Sequence, residues 1–142
     1  MWRTLIIIGV LSAAPRLALV AAPCLEYETV SLSGTLVRQT FPGPPDFESV
    51  AKGDEPQVVW VLLLDRRICV LDSNPRYPRE YDEREVQLAL DAEQYLEYRN
   101  LLGKWVVATG ELLHGGAGHQ KRLVLAASEI KRTSALDYRR SY

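Results

Sequence analysis

The chain has few of the residues that usually announce chemistry. Among its 142 residues are two histidines, two cysteines, two phenylalanines and one methionine. Neither GxSxG nor HExxH occurs, so the common nucleophile-elbow and zinc-protease signatures are absent. No apolar run approaches the ~20 residues that a membrane-spanning helix needs. Positive charge is not in excess either: 17 basic residues stand against 18 acidic ones. That balance disfavours a nucleic-acid partner, because such affinity comes largely from neutralised phosphates. Disorder is excluded as well, since 47% hydrophobic and 25% charged residues suit a packed domain. The length suits one such domain.

What is present begins with an asymmetric N-terminus. Arg3 supplies positive charge, residues 5–14 (LIIIGVLSAA) form a short apolar run, and small residues follow at Ala18, Ala21 and Ala22. This is the layout of a secretory signal peptide over residues 1–22. Val20-Ala21-Ala22 has the spacing of a cleavage site, although Pro23 follows it directly. Cys24 would suit a lipid anchor, but Pro23 stands where a small residue is expected. Removing Arg3 and Arg16 from the 17 basic residues leaves 15 against the same 18 acids, a net −3. The expected location is the periplasm or the medium, with a membrane met only through the signal segment. In such an oxidising compartment Cys24 and Cys69 are expected to pair as a disulfide, worth roughly 3–4 kcal/mol by loop-closure entropy.

Residues 30–38 alternate, with Val30, Leu32 and Leu36 on one face, and predict a half-buried strand containing Gly34. Residues 41–56 (FPGPPDFESVAKGDEP) hold too many prolines for a helix or a central strand. They predict a long connection pinned to the body by Phe41 and Phe47. Residues 57–65 (QVVWVLLLD) are apolar on both faces and read as a central strand. Arg66-Arg67 read as a turn before a short strand at 68–71. A polar loop follows over 73–83, and another strand over 85–90 with Val86, Leu88 and Leu90 inward. The period then changes. Asp91 and Gln94 form a capping-box pair, Tyr95, Tyr98 and Leu102 share a helical stripe, and Gly103 supplies the stop. Strands at 104–113 and 122–130 flank the stretch LLHGGAGHQK. Gly34 and Gly110 sit in similar strand contexts, where glycine allows sharp coiling.

Five main strands with one short helix before the fourth predict a mainly β fold. The expected architecture is a small OB-like Greek-key barrel over residues 24–130. A basic C-terminal tail, residues 131–142 with Lys131, Arg132, Arg139 and Arg140, follows it. In this order the two irregular segments, residues 41–56 and 114–121, border one side of the barrel.

The runs LSGTLVRQTFPGPPDFES, GDEP and ICV, followed by LLGKWVVATGEL and a histidine-bearing hairpin, resemble a secreted bacterial family. It is the one known as domain of unknown function four-four-three-one. The resemblance covers residues 24–130 and implies export and a small barrel; it implies no activity. Relatives carry several adjacent histidines in the last hairpin where this chain has GGAGHQ.

Three kinds of function follow as expectations. The first is a non-enzymatic binding module for a protein, peptide or cell-envelope ligand, using Phe41, Asp46, Phe47, Glu48, His114 and His119. The second is a metal-binding protein in which His114 and His119, paired across a hairpin, hold Zn²⁺ or Cu²⁺ with help from Asp46 or Glu48. Two imidazoles alone are too few for a specific site, so no cofactor is expected outright. The third is a hydrolase, or an inhibitor of envelope enzymes. Only the proximity of Asp46 and Glu48 suggests acid–base work. The GGAG run joins two strands instead of opening a helix, which argues against a phosphate cradle. Tyr77, Tyr81, Tyr95, Tyr98, Trp60 and Trp105 could stack on bases or sugars, but packing explains most of them.

Overall fold

The structure is a computed structural model that describes residues 23–134. The expected signal peptide, and Arg139 and Arg140 of the expected tail, lie outside the described residues. Five strands form: β1 (Thr29–Pro42), β2 (Pro56–Val70), β3 (Glu80–Ala89), β4 (Trp105–His114) and β5 (Leu123–Arg132). One helix, α1 (Ala92–Tyr98), and a 3-10 turn at Arg99–Leu101 lie between β3 and β4. The strands close into a barrel in the order β1-β2-β3-β5-β4. Every pairing is antiparallel except β3 with β5, which is parallel. Five strands in this order, with the helix leading into β4, are the OB architecture.

Strand alternation builds the interior. Leu36, Leu62, Leu88, Leu112, Leu123 and Leu125 are fully buried, joined by Val86, Val106 and Ala108. Each leucine contributes about 1.5–3 kcal/mol by leaving water. The helix closes one end of this core. Its capping box is present: the Asp91 carboxylate accepts from the Gln94 N–H, and the Gln94 amide oxygen accepts from the Asp91 N–H. The capped stripe then lays Tyr98 into the core, with Tyr95 and Leu102 packed against it. The Tyr95 ring meets Trp60 edge-on at 5.1 Å, and burial raises the Tyr95 phenol above its ordinary pKa.

Gly34 is where β1 changes partners. From Thr29 to Thr35 the strand pairs with β4, and from Gly34 to Pro42 with β2. A Cβ there would lie 2.1 Å from the Leu63 carbonyl oxygen. Only glycine lets the two backbones approach so closely. Gly110 does the same at the register shift between β4 and β5, 2.2 Å from the Ala126 oxygen.

Two expectations from the chain's punctuation fail. Arg66-Arg67 form no turn, because β2 runs through them unbroken to Val70. The backbone ladder is indifferent to charge when the side chains point to water, and both arginines are exposed. Arg67 pairs with Asp82 across the β2–β3 irregularity at 3.4 Å. The polar loop is correspondingly shorter, since β3 already begins at Glu80. At the far end, Lys131 and Arg132 lie in β5.

Cys24 and Cys69 form a disulfide. It binds the segment before β1 to the end of β2. Two backbone hydrogen bonds of 2.8 Å, Leu25 N–H to Cys69 O and Leu71 N–H to Leu25 O, flank it. Among the described residues no helix is long and apolar enough to cross a membrane.

Candidate functional site

The connection between β1 and β2 folds on one carboxylate. Asp54 is buried and accepts hydrogen bonds from the backbone N–H groups of Asp46 (3.0 Å), Glu48 (2.7 Å) and Ser49 (2.7 Å). These donors, the Ser49 N–H first, hold the Asp54 carboxyl below its usual carboxylate range. Asp46 and Glu48 therefore contribute backbone to the loop, and their side chains stay in water. Phe47 sits between them with φ 58° and is 58% exposed. The expectation that Phe47 pins the loop to the body is wrong: the ring is exposed, on left-handed backbone. Asp54 orders the loop from within instead.

The second loop, between β4 and β5, lies back across the barrel as a strap (residues 115–122). Its Gln120 N–H donates to the Gln87 side-chain oxygen on β3 at 2.8 Å. The Gln120 amide donates to Gln57 on β2 at 3.0 Å. Lys121 reaches Glu85 on β3 and places its ammonium 5.2 Å from the centre of the Phe41 ring. Gln39 on β1 donates to the other Glu85 oxygen at 3.0 Å. The Lys121 hydrogen bond, then that of Gln39, lowers the Glu85 pKa. The two irregular segments are thus brought to one side of the barrel, as the strand order predicted.

This strap covers part of the outer sheet face. Val61 and Val124 have the opposite parity to the core residues Leu62 and Leu125, so they point away from the interior. Yet they are 0% and 1% exposed. Both pair with Gln87, the residue that holds the strap.

The histidines separate. Across the ladder His114 faces Leu123, not His119. His119 belongs to the turn, its N–H bonded to the Gly116 carbonyl at 3.1 Å. The strand after the glycines starts at Leu123, within one residue of the predicted 122, and Gln120 and Lys121 before it form the strap. His114 Nε2 instead lies 3.3 Å from Glu80, whose side chain is 10% exposed. Arg122, at the other root of the strap, approaches Glu80 at 3.8 Å and Glu83 at 3.2 Å. Among the described residues no three histidine, cysteine or carboxylate side chains gather to hold a metal ion. Nearby, Tyr27 donates to the Pro78 carbonyl at 2.9 Å. Burial first, and then the charges of Glu80, Asp72 and Glu83, raise its phenol pKa.

Of the six expected ligand residues, Phe41 belongs to the strap contact, and Asp46, Phe47 and Glu48 to the Asp54 loop. His114 sits at the strap's root, and His119 in its turn. Gln39, Asp54, Gln57, Glu80, Glu85, Gln87 and Lys121 were not anticipated. Most are polar residues at alternate strand positions, where the pattern reads them as solvent-facing. Asp54, next to Gly53 and before Pro56, offered the one local hint, as a turn-forming aspartate.

Fold and site together define a class: a disulfide-bonded OB barrel with a structured β1–β2 loop and a strap over its outer face. Within it, residues 85–131, from β3 through β5, match the family described as Domain of unknown function (DUF4431). The match covers the helix, the strap and the parallel β3–β5 closure, and coincides, to within one residue at its end, with the C-terminal part of the span over which the sequence resembles that family. No curated protein matches the chain.

Proposed function

We propose that this protein is an exported, non-enzymatic binding module that docks a protein or peptide of the cell envelope through its β1–β2 loop. One observation carries the reading: the loop is folded around Asp54 yet spends that order on holding Phe47 in water. A non-glycine residue at positive φ is uncommon and costs conformational energy. An exposed aromatic ring on a prefolded loop loses little freedom on binding, which is how an anchor residue works. Exposed Asp46 and Glu48 flank it in sequence, and the same connection exposes Glu55 against one cation, Lys52. The partner is therefore an apolar pocket with a basic rim. The disulfide supports an oxidising compartment, and the N-terminal pattern supports export to reach it.

The test is site-specific photocrosslinking in the producing cells. A photoreactive phenylalanine at position 47 is expected to give a discrete protein adduct in the envelope fraction. The same probe at exposed Glu97, on the helix, is expected to give none. Identical adducts at both positions, or none at 47, would refute the docking loop. Recovery of the mature chain in the cytosolic fraction would refute export independently.

A further inference from the structure

The strap contact has the composition of a ligand site. The Lys121 ammonium lies over an aromatic face, against a carboxylate that a neighbouring amide orients. Aromatic face plus anion is how proteins recognise a primary ammonium on an alkyl stem. The Lys121 side chain is 17% exposed and that of Glu85 38%, so the lysine is the better shielded of the two. Everything that forms it except Lys121 stands on the barrel wall: Gln39 and Phe41 on β1, Glu85 on β3. Register places these residues on one outer face with Gln57 and Val61. This is the β2–β3 side that OB barrels offer to ligands.

The occupant is held differently. Between the Gly115–Arg122 closing bond and the turn, the strap is tied to the wall by the Gln120 N–H and by the side chains of Gln120 and Lys121, not by a strand ladder. Gly115, Gly116 and Gly118 lie in the same strap; a Cβ at Gly116 would meet nothing within 4 Å, whereas one at Gly115 would lie 2.0 Å from the Lys121 carbonyl oxygen, at the strap's base. A segment built this way can leave the wall without unpairing β4 from β5.

We propose that Gln39, Phe41 and Glu85 form a recognition site for a lysine-type alkylammonium, and that Lys121 is its tethered occupant. A lysine side chain from a partner polypeptide replaces Lys121 when the strap lifts. The site does not include Phe47, so the proposal does not depend on the docking loop.

Removing the tethered competitor exposes the site. We would titrate the Lys121→Ala variant with n-butylammonium, following backbone amide resonances of Gln39, Phe41, Glu85 and Gln87. Saturable shifts confined to this face are expected, at least about tenfold weaker in the wild type, where the tethered lysine competes at high effective concentration. They are expected to vanish in Lys121→Ala/Glu85→Gln, and n-butanol is expected to produce none. An acetylated Gly-Lys-Gly amide binding more tightly than butylammonium assigns the site to polypeptide lysine. Equal binding overturns that assignment in favour of a free amine. A folded Lys121→Ala protein that shows no saturable shift overturns the proposal, and so do shifts indifferent to Glu85→Gln. Lys121→Met keeps the apolar stem. If both variants fail to fold, Lys121 is a structural lock and the proposal falls.

Discussion

Reducing the Cys24–Cys69 bond removes a covalent link between residues 45 apart in sequence. In the chain-entropy view, closing a loop of that length takes roughly 3–4 kcal/mol of freedom from the unfolded chain. The native state keeps its other ties at the same place. Leu25 and Leu71 remain hydrogen-bonded across the Cys69 region, and the Tyr27 N–H still donates to Asp72 at 3.1 Å. The reduced protein should therefore fold to the same barrel with less stability. Domains of this size hold about 5–15 kcal/mol in total, so the loss is a large share. With a urea slope of about 1–3 kcal/mol per molar, the unfolding midpoint should fall by about 2 M. Tryptophan fluorescence reports the transition, since Trp60 is buried against the helix. Oxidised protein, protein held in dithiothreitol, and the Cys24→Ser/Cys69→Ser variant would be compared. The last two should coincide. A midpoint shift below about 0.3 M, with an unchanged native spectrum, would show that the bond hardly constrains the unfolded chain and would refute the reasoning.

Gly34→Ala should destabilise by about 3 kcal/mol, because its Cβ meets the backbone oxygen of Leu63, which no rotamer change can move. Gly116→Ala, facing open space, should stay within about 0.5 kcal/mol, and equal midpoints in thermal melts would count against the close-approach argument. Acid should loosen the two loops. Asp54 and Glu85 have lowered folded-state pKa values, so their stabilisation is fully present above the ordinary carboxylate value near about 4. It is lost as the pH falls through the folded values. Hydrogen exchange at Asp46, Glu48 and Ser49, corrected for the intrinsic pH dependence, should show falling protection below about pH 4. In Asp54→Asn that protection should already be weak at neutral pH; an unchanged profile in the variant would contradict the role of Asp54.

Most of the fold was legible along the chain because it rests on local periodicity. The two-residue alternation of Val30, Leu32 and Leu36, and that of Val86 and Leu88, could bury apolar groups only as strands. The shift at Asp91 to a capped helical stripe fixed the helix before the fourth strand. Gly34 and Gly110 marked two points of close backbone approach. Misreadings arose where charge or proline stood in for punctuation. Arg66-Arg67 looked like a turn, but only pairing with β3 decides whether a strand continues, and exposed arginines do not oppose it.

The site was less legible. Residue types pointed to the two loops, and the strand order brought them together. Which side chains face inward, outward or each other within a loop is another matter, because no repeat constrains it. Phe47 was read as a pin and is exposed; His119 was read as a strand partner of His114 and lies in the turn. The sequence by itself determined the strands, the helix and its cap, and the two cysteines available to pair. Local propensity and alternation are properties of neighbouring residues. Tertiary structure alone decided that Asp54 would organise the first loop and that Lys121 would cross the outer face to Phe41 and Glu85. It also decided that Glu80 would lie against both roots of the strap. Those contacts join residues far apart in the chain, and they exist only once the barrel has closed.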